Sequence, residues 1–196
     1  MTSIRLFKPD LSFIEETENY QSLQYERSHF GVGQFEIHIN MHLQGAESFE
    51  KGNLIVVDKQ THKAGIIQTK EVALGENGKA SENFKLTGYT LDGLISRRVT
   101  VPPFHTSHDR RTGSAETVMK HYVMDHFVNP VDKKRIMPFL EVAPNKDRGP
   151  RVSWESRYKN IAEELETIGK LADIGWVVYF DFIKKKLIFD VVEGRD

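Results

Sequence analysis

A chain of 196 residues, 39% apolar and 28% charged, is long enough for one good hydrophobic core or two small ones. A formal net charge of −1 supplies no overall field to draw in nucleic acid or a membrane surface. The absence of cysteine excludes disulfides, thiolate metal sites and cysteine nucleophiles. Met1-Thr-Ser-Ile-Arg leads into no apolar signal-peptide core. Runs such as Trp176-Val-Val-Tyr-Phe fall well short of the roughly 20 apolar residues a membrane helix needs. The expectation is a protein made and folded in cytoplasm-like conditions without a membrane anchor.

From the N-terminus, Ile4 to Lys8 reads as a short strand and Pro9-Asp10 as a turn. A second strand segment is predicted over Tyr20 to Phe30, broken by Gly31 and Gly33. The clearest pattern runs from Gln34 to His42. Phe35, Ile37, Ile39 and Met41 alternate with Glu36, His38, Asn40 and His42, the period of a half-buried strand. His38 and His42 lie about 13 Å apart on such a strand, too far to share an ion. Gly45 to Gly52 is expected to make a helical turn with Ala46 and Phe49 inward, and Asn53 to Asp58 a strand. Two further runs, Ala64 to Leu74 and Ala80 to Thr87, flank Asn77-Gly78, a strong hairpin signal. About six strands with short turns imply an antiparallel β-barrel or sandwich over residues 1–99.

In the central stretch, Leu91 to Ile95 suits a helical turn, and the prolines of Val99-Thr-Val-Pro-Pro impose an extended chain. Phe104 to Gly113 reads as an exposed polar loop. Ser114 caps a helix predicted to run to about Val128 before Asn129-Pro130 stops it. Its apolar stripe is Met119, Val123 and Phe127 beside Val118 and Tyr122. His105, His108 and Asp109 are the best metal or acid–base candidates, although His-x-x-His-Asp matches no zinc signature with its own structural context. His121 and His126 sit five residues apart, about 140° on an α-helix, and are not expected to converge. Arg97, Arg98, Arg110 and Arg111 form the one locally basic segment. It could meet an acidic partner or phosphate. A solvated loop pairing with nearby acids is the favoured alternative, because such exposed pairs contribute little.

Toward the C-terminus, Phe139 to Val142 reads as a short strand. Ser153 is expected to cap a second helix from Trp154, with Tyr158, Ile161, Leu165 and Ile168 on its apolar face and Gly175 ending it. Trp176 to Phe182 and Leu187 to Val192 then make a hairpin. Residues 100–196 therefore form a helix–helix–hairpin unit, and the whole chain is α+β. Glu163, Glu164 and Glu166 fit the solvated face of that helix better than a hydrolytic carboxylate pair.

Residues 86–123 carry a family resemblance. Gly88-Tyr-Thr-Leu-Asp-Gly-Leu-Ile-Ser-Arg-Arg with Pro102-Pro103, then Gly113 and Ala115-Glu-Thr-Val-Met-Lys with Tyr122-Val123, resembles the siphovirus gene-product-37-like family of phage tail proteins. Tyr20-Gln-Ser-Leu, Gly33-Gln-Phe-Glu-Ile-His, Ser156-Arg-Tyr-Lys-Asn and Gly175-Trp extend it over nearly the whole chain. The resemblance implies a tail-hub or baseplate protein of the virion tail, either an N-terminal part or a short prophage member. It implies β-barrel domains that form a homo-trimeric ring docked on the distal tail protein, past which DNA travels only transiently. Neither catalysis nor a cofactor is expected, and Arg97, Arg98, Arg110 and Arg111 are assigned to interface or packing. Two alternatives are a metal-assisted tail-tip hydrolase using His105, His108 and Asp109, and a host-surface binding module.

Overall fold

The computed structural model describes residues 2–74 and 80–194. The chain divides into two compact units, Met1–Arg27 with Gly33–Leu91, and Ser28–Val32 with Asp92–Asp196. This division differs from a simple cut after residue 99, because it falls earlier and lends a loop of the N-terminal half to the second unit.

The first unit is one antiparallel sheet. Its strands are β1 (Ile4–Phe7), β2 (Phe13–Thr17), β3 (Ser22–Glu26), β4 (Gln34–Asn40), β5 (Leu54–Val57), β6 (Ala64–Leu74) and β7 (Ala80–Thr90). Their order is β2-β1-β5-β6-β7-β4-β3. Register carries the alternation of β4 across the sheet. Phe35 faces Tyr25 and Gly88, and Ile37 faces Leu23 and Leu86. Leu6 of β1 likewise faces Ile55. Ile4, Leu6, Ile37, Ile39, Ile55, Ile67 and Leu86 thus share one buried face, closed by Ala46 and Phe49 from the short 3₁₀ turn Ala46–Ser48. The Asn77-Gly78 hairpin lies outside the described residues; the strands flanking it pair, with Leu74 opposite Ala80.

The sheet is strongly curled. The Tyr25 hydroxyl donates to the Ala64 carbonyl at 2.9 Å. Those strands are three positions apart in the sheet order, which would be about 14 Å if it were flat. The expectation of a barrel is met only loosely, because among the described residues of this unit the edge strands β2 and β3 share no ladder and no second sheet makes a sandwich. Strand β2 was not anticipated. It places Glu15 on the inner face beside Leu6, and the Glu15 Oε1 atom has no hydrogen-bond partner among the described residues. An inward charge on an edge strand opposes further pairing.

The second unit holds β8 (Asp109–Ser114), α1 (Ala115–Val123), a π turn (Met124–Val128), β9 (Leu140–Val142), β10 (Arg151–Ser156), α2 (Ile161–Ala172), β11 (Ile174–Asp181) and β12 (Lys186–Glu193). β8 and β10 form an antiparallel ribbon; β11, β12 and β9 form a three-stranded sheet in which β9 runs parallel to β12. Three expectations are corrected. Residues 109–114 are a strand and not part of a loop. Residues 153–156 continue its partner strand and do not begin a helix: Val152 and Ser156 are buried on one face in a period of two. The helix starts after Tyr158, held at φ 53°, with Asn160 as its cap accepting from the Ala162 amide at 3.0 Å. Its end is set by Asp173 in the left-handed region (φ 50°), while Gly175 already lies in β11.

Residues 28–32 complete this unit. The Trp176 indole donates to the Phe30 carbonyl at 2.6 Å and its amide to the His29 carbonyl at 3.2 Å. A Cβ on Gly175 would collide with His29, so glycine admits the segment. The predicted strand from Tyr20 to Phe30 therefore stops at Glu26, where the chain leaves the sheet.

Candidate interaction site

Ser114 ends β8 and caps α1, accepting from the Thr117 amide at 3.2 Å. This junction fixes the polar groups of the second unit. Glu116, in the first turn of α1, is fully buried. Its oxygens accept from Lys120 Nζ at 2.6 Å and from the Arg148 amide, Nε and Nη2 at 2.9, 3.0 and 2.9 Å. Asp190 of β12 accepts from the same two cations, each at 2.8 Å. Burial pushes the Glu116 carboxyl up, but the Arg148 and Lys120 hydrogen bonds outweigh it and hold the pKa at about 2. Two anions and two cations are thereby fully paired, which tethers α1 to β12 and to the 144–150 loop. The i, i+4 spacing of Glu116 and Lys120 was visible in sequence; their burial was not.

The proposed metal loop does not assemble. His105 is exposed at φ 62° and packs edge-on against Phe104, with ring centroids 4.8 Å apart. His108 pairs through Nδ1 with the Ser107 hydroxyl at 3.1 Å. Asp109 instead turns inward to His121, whose Nε2 lies 2.8 Å from Asp109 Oδ1, while His126 Nε2 lies 3.7 Å from Oδ2. The two histidines expected to diverge thus flank one carboxylate. The π turn contributes: its i→i+5 bond from the Asn129 amide to the Met124 carbonyl widens the turn, so that His126 is rotated less far from His121 than on a regular α-helix. His126 Nδ1 donates to the Tyr122 carbonyl at 2.9 Å, and Nε2 accepts from the Val101 amide at 2.8 Å. That pattern needs the neutral ring, and burial lowers its pKa accordingly. Among the described residues, no three His, Asp or Glu side chains are arranged to hold an ion.

The four arginines do not converge either. Arg97 ends the 3₁₀ segment Leu91–Arg97 and is exposed. Arg98 is half-buried, with Nε lacking a hydrogen-bond partner among the described residues. Arg110 donates to Glu155 across the ribbon at 2.8 Å. Arg111 faces Trp154 on the opposite side of that ribbon.

The second unit also exposes an apolar surface. A groove of about 370 Å³ is lined by Val101, Pro102, Pro103, Phe104, Pro130 and Val131, with Asp125, Asp132 and Arg135 among its polar groups. Phe104 is 89% and Val131 94% exposed. Asp109 and His126 also line the groove, whose walls come from the extended proline segment and the chain following the π turn; such a surface is suited to interaction.

The sequence comparison identifies the chain. It belongs to the family described as Siphovirus ReqiPepy6 Gp37-like protein, matched over residues 3–196. No curated protein matches it in sequence. Among solved structures it is similar to a tail protein from Neisseria meningitidis, with 13% identity and a TM-score of 0.51, covering 96% of this chain and 50% of that one. It is also similar to the prophage tail protein gp18 from Listeria monocytogenes, with 10% identity and a TM-score of 0.55, covering 95% and 50% respectively. At these identities the likeness is one of fold. The chain spans about half the length of these two structures.

Proposed function

We propose that this Gp37-like chain is a structural component of the phage or prophage tail, acting as a hub or baseplate element by assembly and not by catalysis. Family membership over residues 3–196 carries this reading. The shared fold with two tail proteins supports it, and so does a surface whose prominent feature is an apolar groove. In this reading the chain forms a homo-trimeric ring in the virion tail, contacts the distal tail protein, needs no cofactor and lets DNA pass without retaining it. Arg97, Arg98, Arg110 and Arg111 serve subunit contact or packing. Light scattering across a range of protein concentrations tests the assembly. A trimer mass supports it; a monomer mass throughout, unchanged by added distal tail protein, overturns it.

A further inference from the structure

The Phe104–Val131 groove and the tip of the β11–β12 hairpin have complementary chemistry. At the tip, Ile183 is 96% exposed, the largest value among the exposed apolar side chains described. The turn beneath it is well determined: the Asp181 carboxylate accepts from the Ile183 and Lys184 amides, both at 3.0 Å, and Lys185 takes the left-handed conformation at φ 51°. Lys184 and Lys185 follow the isoleucine and make no ion pair among the described residues; Lys186 is drawn back to Glu141 at 3.3 Å. The tip is therefore a braced apolar knob followed by two exposed cations.

The groove offers the converse, with apolar walls and the carboxylates of Asp125 and Asp132 at its lining. The Asp125 side chain is half exposed, reaching His121 Nδ1 at only 3.4 Å. Arg135, also in the lining, donates to the Val99 carbonyl at 2.9 Å and its charge is felt by Asp132, while Lys133 is turned onto Asn129 at 2.9 Å; the three lining carboxylates Asp109, Asp125 and Asp132 still outnumber this arginine.

We infer that the groove receives the β11–β12 tip of a second copy of this chain, with Ile183 between Pro103 and Val131 and the two lysines against Asp125 and Asp132. Knob and groove are different surfaces, so the contact is head-to-tail, the kind that closes into a ring. This inference rests on the assembly reading and names the surfaces it would use. Apolar seating supplies the attraction, and the opposed charges set orientation.

The cysteine-free chain makes the test clean. Ile183→Cys and a size-tagged Val131→Cys are purified separately, mixed and oxidised at concentrations where light scattering reports the wild-type mass. The expected product is a mixed disulfide dimer in excess of either same-variant dimer. A second variant, Ile183→Ser with Lys184→Glu and Lys185→Glu, alters only the exposed turn. It should keep the wild-type circular dichroism and raise the concentration for half-assembly at least tenfold. Wild-type oligomers without the mixed crosslink, or with assembly unmoved by the tip variant, overturn this inference and leave the assembly reading standing. A monomer at every concentration with no crosslink overturns this inference, and if added distal tail protein leaves it a monomer, the assembly reading falls too.

Discussion

The two units bury different chemistry. In the first, the core is aliphatic and aromatic, and among the described residues its buried polar side chains are Thr17, Asn53 and Thr90, none of them ionisable. In the second, Asp92, Asp109, Glu116, Lys120, His126 and Glu164 are all buried. A sheet with one wet face specifies itself by alternation, since a one-residue slip would turn every apolar side chain to water. The second unit has three-residue β9, an isolated ribbon and two helices of 9 and 12 residues, none with that redundancy. There, directional bonds choose the arrangement: Asp92 Oδ1 accepts from the Val178 amide at 2.6 Å, and Trp154 Nε1 donates to Glu164 at 2.7 Å. One unit is held mainly by shape, the other by shape together with charge.

The largest effect expected from this contrast follows Glu116→Ala, which strands Lys120 and Arg148 beside a lone Asp190 and should destabilise by about 3–5 kcal/mol. Chemical denaturation measures it; a loss under about 1 kcal/mol would mean that the network is replaceable and the contrast false. Acid should act through the same residue. The Glu116 pKa falls from an ordinary 4.5 to about 2 on folding. Its contribution is thus complete above pH 4.5 and disappears as pH falls toward 2, about 3 kcal/mol in all. His126, whose pKa is also lowered, acts in the same direction from higher pH, because the unfolded chain binds the proton that the folded ring refuses. Stability measured from pH 7 to 2 should fall steeply in wild type, and in Glu116→Gln the segment between 4.5 and 2 should flatten.

For the first unit, Gly88→Ala tests shape alone. Its Cβ would meet the Phe35 ring and the Ile66 carbonyl. The expected loss is about 1–3 kcal/mol, independent of pH. A pH-dependent loss would blur the distinction between the units. Smaller again is Ser114→Ala, which removes the α1 cap for about 1 kcal/mol and should appear as a lowered denaturation midpoint with unchanged slope. Smallest is Arg110→Ala: its pair with Glu155 is exposed on both sides, and the loss should stay below about 1 kcal/mol.

Much of the fold was legible along the chain. The period of two from Phe35 to Ile39 placed β4, the Asn77-Gly78 signal was flanked by two strands that do pair, and the Ser114 cap and apolar stripe located α1. The candidate site was less legible. His105 and His108 caught attention through spacing, yet the groups that Asp109 meets are His121 and His126, which a regular helix would have kept apart. Arg110 and Arg111 looked like a loop cluster because a six-residue polar ribbon has no hydrophobic alternation to announce it.

By itself, then, the sequence determined whatever depends on near neighbours: period, cap, turn and the run of family motifs. Tertiary structure decided what depends on distant partners. It brought β8 to β10, left the curled sheet open at β2 and β3, and drew residues 28–32 into the second unit through Trp176. It also buried Glu116 among two cations and a second carboxylate. The reason is physical. Local preference is set within a few residues of chain, whereas a charge stays buried only if partners far away in sequence are in place to satisfy it.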